Sequence, residues 1–313
     1  MPSSQELDQS EREWLQAALD NRYTLVRLLG RGAMGVVYLA RDRRLQRLVA
    51  IKTLLPEFSG DPDRREQFRR EALTNARLAH PNIVPVYSIE DPEGLLYLVM
   101  RYIHGQSLGY RLWRRRAIPI EEVCQILADL ASALDYAHRQ NVVHRDIKPE
   151  NVLIDRDTGC TMLTDFGIAR FGSLDSVGIA EFRAEKGIIR GTVQYMSPEQ
   201  AAGEWELDGR SDLYALGVLG YAMLVGRLPF DGTTFSEVAA KHAHAAPVPV
   251  AELAPDTPPG VAEIIMRCLE KNPNDRWTDG RRLREALIEA RVHGTRGRFF
   301  RAPRLLRTIL RRG

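Results

Sequence analysis

Apolar and polar positions change their rhythm along this chain near Val99. Up to that point strand-forming runs dominate, the clearest being Val36-Val37-Tyr38-Leu39 and Arg47-Leu48-Val49-Ala50-Ile51-Lys52, which predict the two arms of a hairpin. Beyond it, residues 121–140, 209–226 and 260–270 carry apolar side chains at helical spacing, with Gly or Pro between them. Asp61 followed by Pro62 predicts one helix start inside the strand-rich part, a capping carboxylate with proline at the first position. The expected architecture is α+β, a small sheet lobe on a larger helical one, with no internal repeat and no low-complexity linker.

Both ends carry an amphipathic pattern. Ser10 with Glu13 fits a capping box ahead of the apolar stripe Trp14, Leu15, Ala18 and Leu19, which predicts a helix that packs on the small lobe or docks a partner. At the other end Pro303 can start a helix with Leu305, Leu306, Ile309 and Leu310 on one face and Arg304, Arg307 and Arg311 on the other. Three fates are open to that segment: an anionic membrane surface, the protein's own acidic face, or a solvated end.

Composition narrows the class. With 313 residues, 44% of them hydrophobic, the chain is long enough for two packed lobes. Its formal charge of +3 is unevenly spread, because residues 293–313 hold seven arginines and no acid, so the remainder is mildly acidic. Only Phe299 and Phe300 accompany those arginines as stacking groups, so nucleic-acid binding is not expected. Arg111, Arg114, Arg115 and Arg116 form a second basic cluster, a solvated face or a place where acidic substrates approach. Cys124, Cys160 and Cys268 are scattered and odd in number, which suggests neither a disulfide framework nor a zinc site. No signal peptide or bilayer-long apolar run is present, and a cytoplasmic protein, at most peripheral at the inner face of a membrane, is expected.

Two motifs turn the picture toward chemistry. The run His144-Arg145-Asp146-Ile147-Lys148-Pro149-Glu150-Asn151 is followed, fourteen residues after the asparagine, by Asp165-Phe166-Gly167. One carboxylate can accept a hydroxyl proton, a lysine can neutralise a phosphoryl group in flight, and Asn151 with Asp165 offers the hard oxygen donors that Mg²⁺ takes. Phosphoryl transfer needs little covalent help, so positioning and charge neutralisation are the work such residues do. Upstream, Leu29-Gly30-Arg31-Gly32-Ala33-Met34-Gly35-Val36-Val37 is a GxGxxGxV run whose glycines let backbone approach phosphates. Since strand-forming residues follow the last glycine, the run predicts a phosphate-covering hairpin and not the strand-to-helix turn of a dinucleotide site. Lys52, at the end of the return strand, has a carboxylate nineteen residues on, Glu71, in the helix that Asp61 opens.

With these motifs in this order the chain resembles the protein kinase superfamily, and within it the bacterial eukaryotic-like (Hanks-type) serine/threonine protein kinases, over roughly residues 23–291. The resemblance implies a bilobal kinase fold with an N-lobe over 22–103 and a C-lobe over 104–291, flanked by a helical extension at 1–21 and a basic amphipathic tail at 292–313. It implies ATP and Mg²⁺ as cofactors and proteins as substrates, with a signalling role. Gly30, Gly32 and Gly35 would cover the phosphates, Lys52 would bind the α- and β-phosphates and Glu71 would orient it. Leu29, Val37, Ala50, Met100, Ile103 and Leu153 complete the expected ATP site, Met100 as gatekeeper and 101–103 as hinge. Asp146 is similar to the family's catalytic base, Lys148 to its phosphate-neutralising lysine, Thr192 to the residue bridging the two, and Asn151 and Asp165 to its metal ligands. Glu199 of Ser197-Pro198-Glu199 is expected to pair with Arg276, and Asp212 to cap the catalytic loop. Lys148 and Thr192 together imply serine or threonine acceptors.

Two departures from the family's pattern stand out. Bacterial relatives usually carry phosphorylatable threonines before the Gly191-Thr192 pair, but this chain has Ala184, Glu185 and Lys186 there. Ser173 and Ser176 are then the candidate autophosphorylation sites, and Glu181 or Glu185 is expected to stand in for phosphate against Arg145. Asn75 lies four residues after Glu71, where many kinases place an apolar side chain. A pseudokinase or scaffold is the alternative function, but Lys52, Asp146 and Asp165, whose loss would favour it, are all present. A small-molecule kinase is disfavoured by the complete segment from Asp165 to Glu199.

Overall fold

Strand alternation in the first hundred residues sorts side chains to two faces with different jobs. In the computed structural model, which describes residues 12–19, 22–32, 35–114, 118–166, 192–204 and 206–299 (less the side chains of 56, 57, 93, 192 and 292–299), five antiparallel strands form one sheet. They are β1 (Tyr23–Arg31), β2 (Gly35–Asp42), β3 (Arg47–Leu54), β4 (Val86–Glu90) and β5 (Tyr97–Arg101), in the order β1-β2-β3-β5-β4. Val49 and Ile51 of β3 bury on one face with Tyr23, Val36, Tyr38, Tyr97 and Val99. Ala50 and Lys52 point to the other. Ala50 pairs with Met100 across the β3–β5 ladder, and Lys52 with Val37 across β2–β3.

Helix α1 (12–18) closes the first face. Leu15 and Leu19 are 1% exposed and belong to the same cluster as the sheet residues. Gln16 ties the helix down by donating to the Tyr23 carbonyl at 2.9 Å and accepting from the Leu25 N–H at 2.7 Å. Trp14 does not join the stripe expected of it and stays 45% exposed, about 100° round the helix from Leu15. Ser10 lies outside the described residues.

Short α2 (Pro56–Ser59) leads into α3 (Pro62–Arg77), where Asp61 accepts from the N–H groups of Asp63 and Arg64 and Pro62 occupies the first turn, as the local pattern predicts. The same helix carries Glu71 toward the second sheet face. Asn75 is buried and donates to the Glu71 carbonyl at 3.0 Å, so its polar end is satisfied within its own helix.

The larger lobe is helical. After α4 (Leu108–Arg114), α5 (Ile120–Arg139) buries an apolar stripe, and α7 (Gly209–Val225) is buried on all sides from Ser211 to Leu224, the signature of a core helix. Between them in sequence sits short α6 (Pro198–Ala201). Helices α8 (Phe235–His244), α9 (Val250–Leu253), α10 (Pro259–Cys268) and α11 (Gly280–Phe299) complete the lobe. Close approach of α7 to α10 requires Gly217, where a Cβ would collide with the Cys268 side chain. Helix α11 runs on to Phe299, into the segment 292–313 expected as a separate tail. Residues 300–313, with Pro303 and the apolar face after it, lie outside the described residues.

A three-stranded sheet, β6 (Gly105–Ser107), β7 (Val152–Asp155) and β8 (Thr161–Leu163), sits at the junction of the lobes. It fixes the chemistry-bearing loops, because Asn151 immediately precedes β7 and Asp165 lies two residues beyond β8. The three cysteines are free, and burial pushes the thiols of Cys124 and Cys268 up to about 11 and about 12.

Candidate active site

Lys52 on β3 reaches two carboxylates. Its Nζ donates to Asp165 Oδ1 at 2.9 Å and to Glu71 Oε1 at 3.2 Å, so strand, helix and post-β8 loop meet at one ammonium. Burial alone would lower the lysine's pKa, but Asp165 and then Glu71 raise it well above its ordinary value. One cation cannot neutralise two buried anions. Burial also opposes ionisation of Asp165, yet Lys52 holds its carboxyl below the usual range, while Glu71, buried with the smaller share of that cation, is pushed up.

The loop before β7 is gripped from below by α7. Both oxygens of Asp212 accept backbone N–H groups, Oδ2 from His144 and Oδ1 from Arg145, each at 2.8 Å, and His138 Nε2 lies 2.8 Å from Oδ2. Burial works against the Asp212 charge, but these donors bring its pKa down on balance. His144 is fully buried, packs on the Phe166 ring at 4.5 Å and donates from Nε2 to the Thr164 carbonyl, so it is a structural residue, kept neutral by burial. Arg145 and Asp165 both have left-handed backbone, φ 66° and 60°, a conformation that costs a non-glycine residue about 1 kcal/mol or more and persists where the surroundings enforce it.

At the mouth of this loop Lys148 Nζ donates to Asp146 Oδ2 at 2.7 Å. Asn151 Nδ2 donates to the Asp146 carbonyl at 2.8 Å and to Oδ2 at 3.1 Å. The amide nitrogen is thereby committed to the loop, and the oxygen end remains as an acceptor. An amide oxygen and the ionised Asp165 are the donor set that Mg²⁺ prefers when phosphates and water supply the rest, so the residues present fit that ion.

A family model described as the protein kinase domain matches residues 23–289. The chain belongs to the protein kinase family. It is 39% identical over 292 residues to the serine/threonine-protein kinase PknB of Mycolicibacterium smegmatis, covering 92% of this chain and 45% of that protein. It is 41% identical over 279 residues to PknA of Mycobacterium tuberculosis, covering 88% and 62%. The PknI kinase domain of M. tuberculosis superposes with a TM-score of 0.65 at 31% identity, over 86% of this chain and 96% of that domain. The bilobal kinase fold is shared with it. The chain spans about half the length of the curated relatives, so their whole activities are not carried over directly.

An apolar cluster lies behind Lys52, made of Ala50, Val84, Met100, Ile103 and Met162, with Val37 and Leu153 packed against it. Six of the positions expected around adenine thus reduce to five in one cluster, since Leu29 stands apart, 36% exposed on β1. Met162 joins the group unforeseen, because its place opposite Leu153 is set by β7–β8 pairing. The glycines of the hairpin divide as well. A Cβ at Gly30 would meet nothing within 4 Å and one at Gly32 only the Gly35 carbonyl at 3.8 Å, but one at Gly35 would lie 2.5 Å from the Thr53 carbonyl of β3. Gly35 is therefore demanded by strand packing, whatever passes beneath the hairpin.

Glu199 pairs with Arg276 through two bonds of 2.7 and 2.8 Å. Arg111 pairs with Glu122 and Arg114 lies over the Tyr110 ring, so both described members of the basic cluster have partners within the protein, and Arg115 and Arg116 lie outside the described residues. Thr192 begins a short turn (Thr192–Tyr195), but its side chain, Gly167, Ser173, Ser176, Glu181 and Glu185 lie outside the described residues. Gln200, which donates to the Arg145 carbonyl, and His138, which meets Asp212, were not foreseen.

Proposed function

We propose that this chain transfers the γ-phosphoryl group of ATP to serine and threonine hydroxyls of proteins in a signalling role. The observation that carries the reading is the shared ammonium of Lys52, 3.2 Å from Glu71 and 2.9 Å from Asp165, which brings the two lobes to one polar centre. Lys52 so fixed would bind the α- and β-phosphates, beneath a hairpin whose Gly30 and Gly32 have open space around them. Asn151 and Asp165 would hold Mg²⁺, which supplies positive charge to the phosphate oxygens when bound. Asp146 takes the proton of the acceptor hydroxyl, and Lys148, at 2.7 Å from it, keeps a positive charge beside the reacting oxygens. The cluster around Ala50 and Met100 receives the adenine ring.

The test is transfer of label from ATP with Mg²⁺ by wild type and Asp146→Asn, with mass-spectrometric mapping of the labelled residue. Label on serine or threonine, reduced by about 10²-fold or more in the variant, is expected from loss of the base. Equal transfer by both proteins, or ATP binding without transfer by wild type, overturns the reading.

Finer assignments rest on the same proposal. Self-association would let one copy phosphorylate another at Ser173 or Ser176. No helix among the described residues is long and apolar enough to cross a membrane. A cytoplasmic location with residues 303–312 touching the inner face of an anionic membrane fits their basic amphipathic pattern. Co-sedimentation with anionic vesicles by the full chain, absent in a chain ending at Phe299, is the expected result.

A further inference from the structure

We infer that Gln200 is a positioning residue for Asp146, locking the peptide group that precedes it; the inference deepens the kinase reading and rests on it. The starting point is the strain at Arg145. Its φ of 66° is unfavourable for arginine, so neighbouring groups have to impose it. From below, Asp212 holds the N–H groups of His144 and Arg145. On the carbonyl of the same residue, Gln200 Nε2 donates at 3.0 Å. The next N–H, that of Asp146, donates to His144 Nδ1 at 3.2 Å.

The peptide plane between Arg145 and Asp146 is therefore pinned at both its oxygen and its nitrogen. That plane sets the direction in which Asp146 leaves the backbone. Rotating it would swing the carboxylate away from Lys148 and Asn151, which now meet it at 2.7 and 3.1 Å.

Gln200 is itself held by a rigid anchor. It is the third residue of α6, and its Oε1 accepts from the Ser197 N–H at 3.0 Å while the Ser197 hydroxyl accepts from the Gln200 N–H at 3.2 Å, a complete capping box. Since the Ser197 N–H can only donate and the Arg145 carbonyl can only accept, the amide has one orientation that satisfies both. Glu199, the neighbouring residue, is buried on Arg276 and Ser211. A single side chain thus transmits the position of the buried Glu199–Arg276 anchor to the residue beside the proposed base.

The capping box separates this role from helix capping. Gln200→Glu keeps an acceptor for the Ser197 N–H, and glutamate is as good as glutamine at this position of a capping box. It replaces the donor facing Arg145 with an oxygen, which repels the carbonyl. At pH 8 kcat is expected to fall about 10- to 100-fold, as for a catalytic group displaced by around 1 Å, with the KM for ATP unchanged and the melting temperature lowered by at most a few degrees, the cost of about one hydrogen bond. As pH falls and the new carboxyl gains a proton, it can donate again, so the variant should recover toward wild type. Gln200→Leu, which loses both bonds, should show no such recovery. Hydrogen exchange of the 144–146 amides, measured without nucleotide, should quicken in both variants. Unchanged kcat and exchange in Gln200→Glu overturn the proposal, as does a loss of kcat matched by a fallen melting temperature and no recovery at low pH. If wild type transfers no phosphate, the kinase reading fails, and exchange alone decides whether Gln200 locks the loop.

Discussion

Arg276 offers the sharpest test of how the larger lobe is held together. The residue is fully buried and all five of its N–H donors are used: Nε on the Glu270 carbonyl at 2.7 Å, Nη1 on Glu199 Oε1 at 2.7 Å and the Arg210 carbonyl at 3.1 Å, Nη2 on Glu199 Oε2 at 2.8 Å and the Lys271 carbonyl at 2.9 Å. Arg276→Met keeps the length and removes every donor. Glu199, itself buried, would lose both guanidinium bonds and keep the Ser211 hydroxyl at 2.5 Å. Leaving one member of a buried pair alone costs about 3–5 kcal/mol, and three carbonyls deprived of a donor add roughly 1 kcal/mol each. Against a total stability of roughly 5–15 kcal/mol, the variant should stand near the limit of folding.

Urea unfolding followed by circular dichroism measures this directly. Glu199→Gln/Arg276→Met should recover about 2 kcal/mol relative to the sum of the single changes, because it removes the stranded charge. The pH dependence carries a second sign. Burial opposes the Glu199 charge in the wild type, but Arg276 and Ser211 hold its pKa below the ordinary 4.5, so its stabilisation is complete above that pH and lost as pH falls through the folded value. Without Arg276 burial dominates, and lowering the pH toward 5 should relieve the variant. A cost below about 1 kcal/mol for Arg276→Met, or strict additivity in the double variant, would refute the reasoning.

Two further outcomes follow from the burial pattern. His242, buried against Tyr214 and Phe230 and beside Lys271, has its pKa lowered to about 4 by burial first and by the Lys271 charge second. The unfolded chain takes up the proton first, so stability is complete above about 6.5 and lost on going down toward 4, at about 1.4 kcal/mol per pH unit; between pH 7 and 5 wild type should lose about 2 kcal/mol more than His242→Gln in urea unfolding, and equal losses would contradict this. Leu19→Ala should cost about 2–4 kcal/mol by removing a side chain buried between α1 and the sheet, and a chain lacking residues 1–19 with an unchanged melting temperature would show that the helix is not part of the lobe's core.

Much of this was legible in the residues themselves, wherever the cause is local. The Asp61 cap with Pro62, the alternation of Val49, Ala50, Ile51 and Lys52, and the helical spacing of α5 and α10 each depend on neighbours a few positions apart. The candidate catalytic motif is equally local, since Asp146, Lys148 and Asn151 meet within six residues of chain. The sequence by itself thus determined the element types, the two-lobed division and the candidate chemical groups.

Tertiary structure alone decided which groups act together. Nothing near Gln200 in the chain indicates that its amide closes on a carbonyl fifty-five residues away, and nothing near Lys52 ranks Asp165 above Glu71 as its partner. Gly35 reads as a phosphate-loop glycine, yet the Thr53 carbonyl is what forbids a side chain there. Trp14 fits the apolar stripe of α1 by spacing, but only Leu15 and Leu19 join the buried cluster on the sheet, with Ala18 packed at its edge. The physical reason is common to all four. Periodicity reports the environment of a residue averaged over its own element, whereas hydrogen-bond partners, shared charges and steric limits are set by surfaces that only folding brings within a few ångströms.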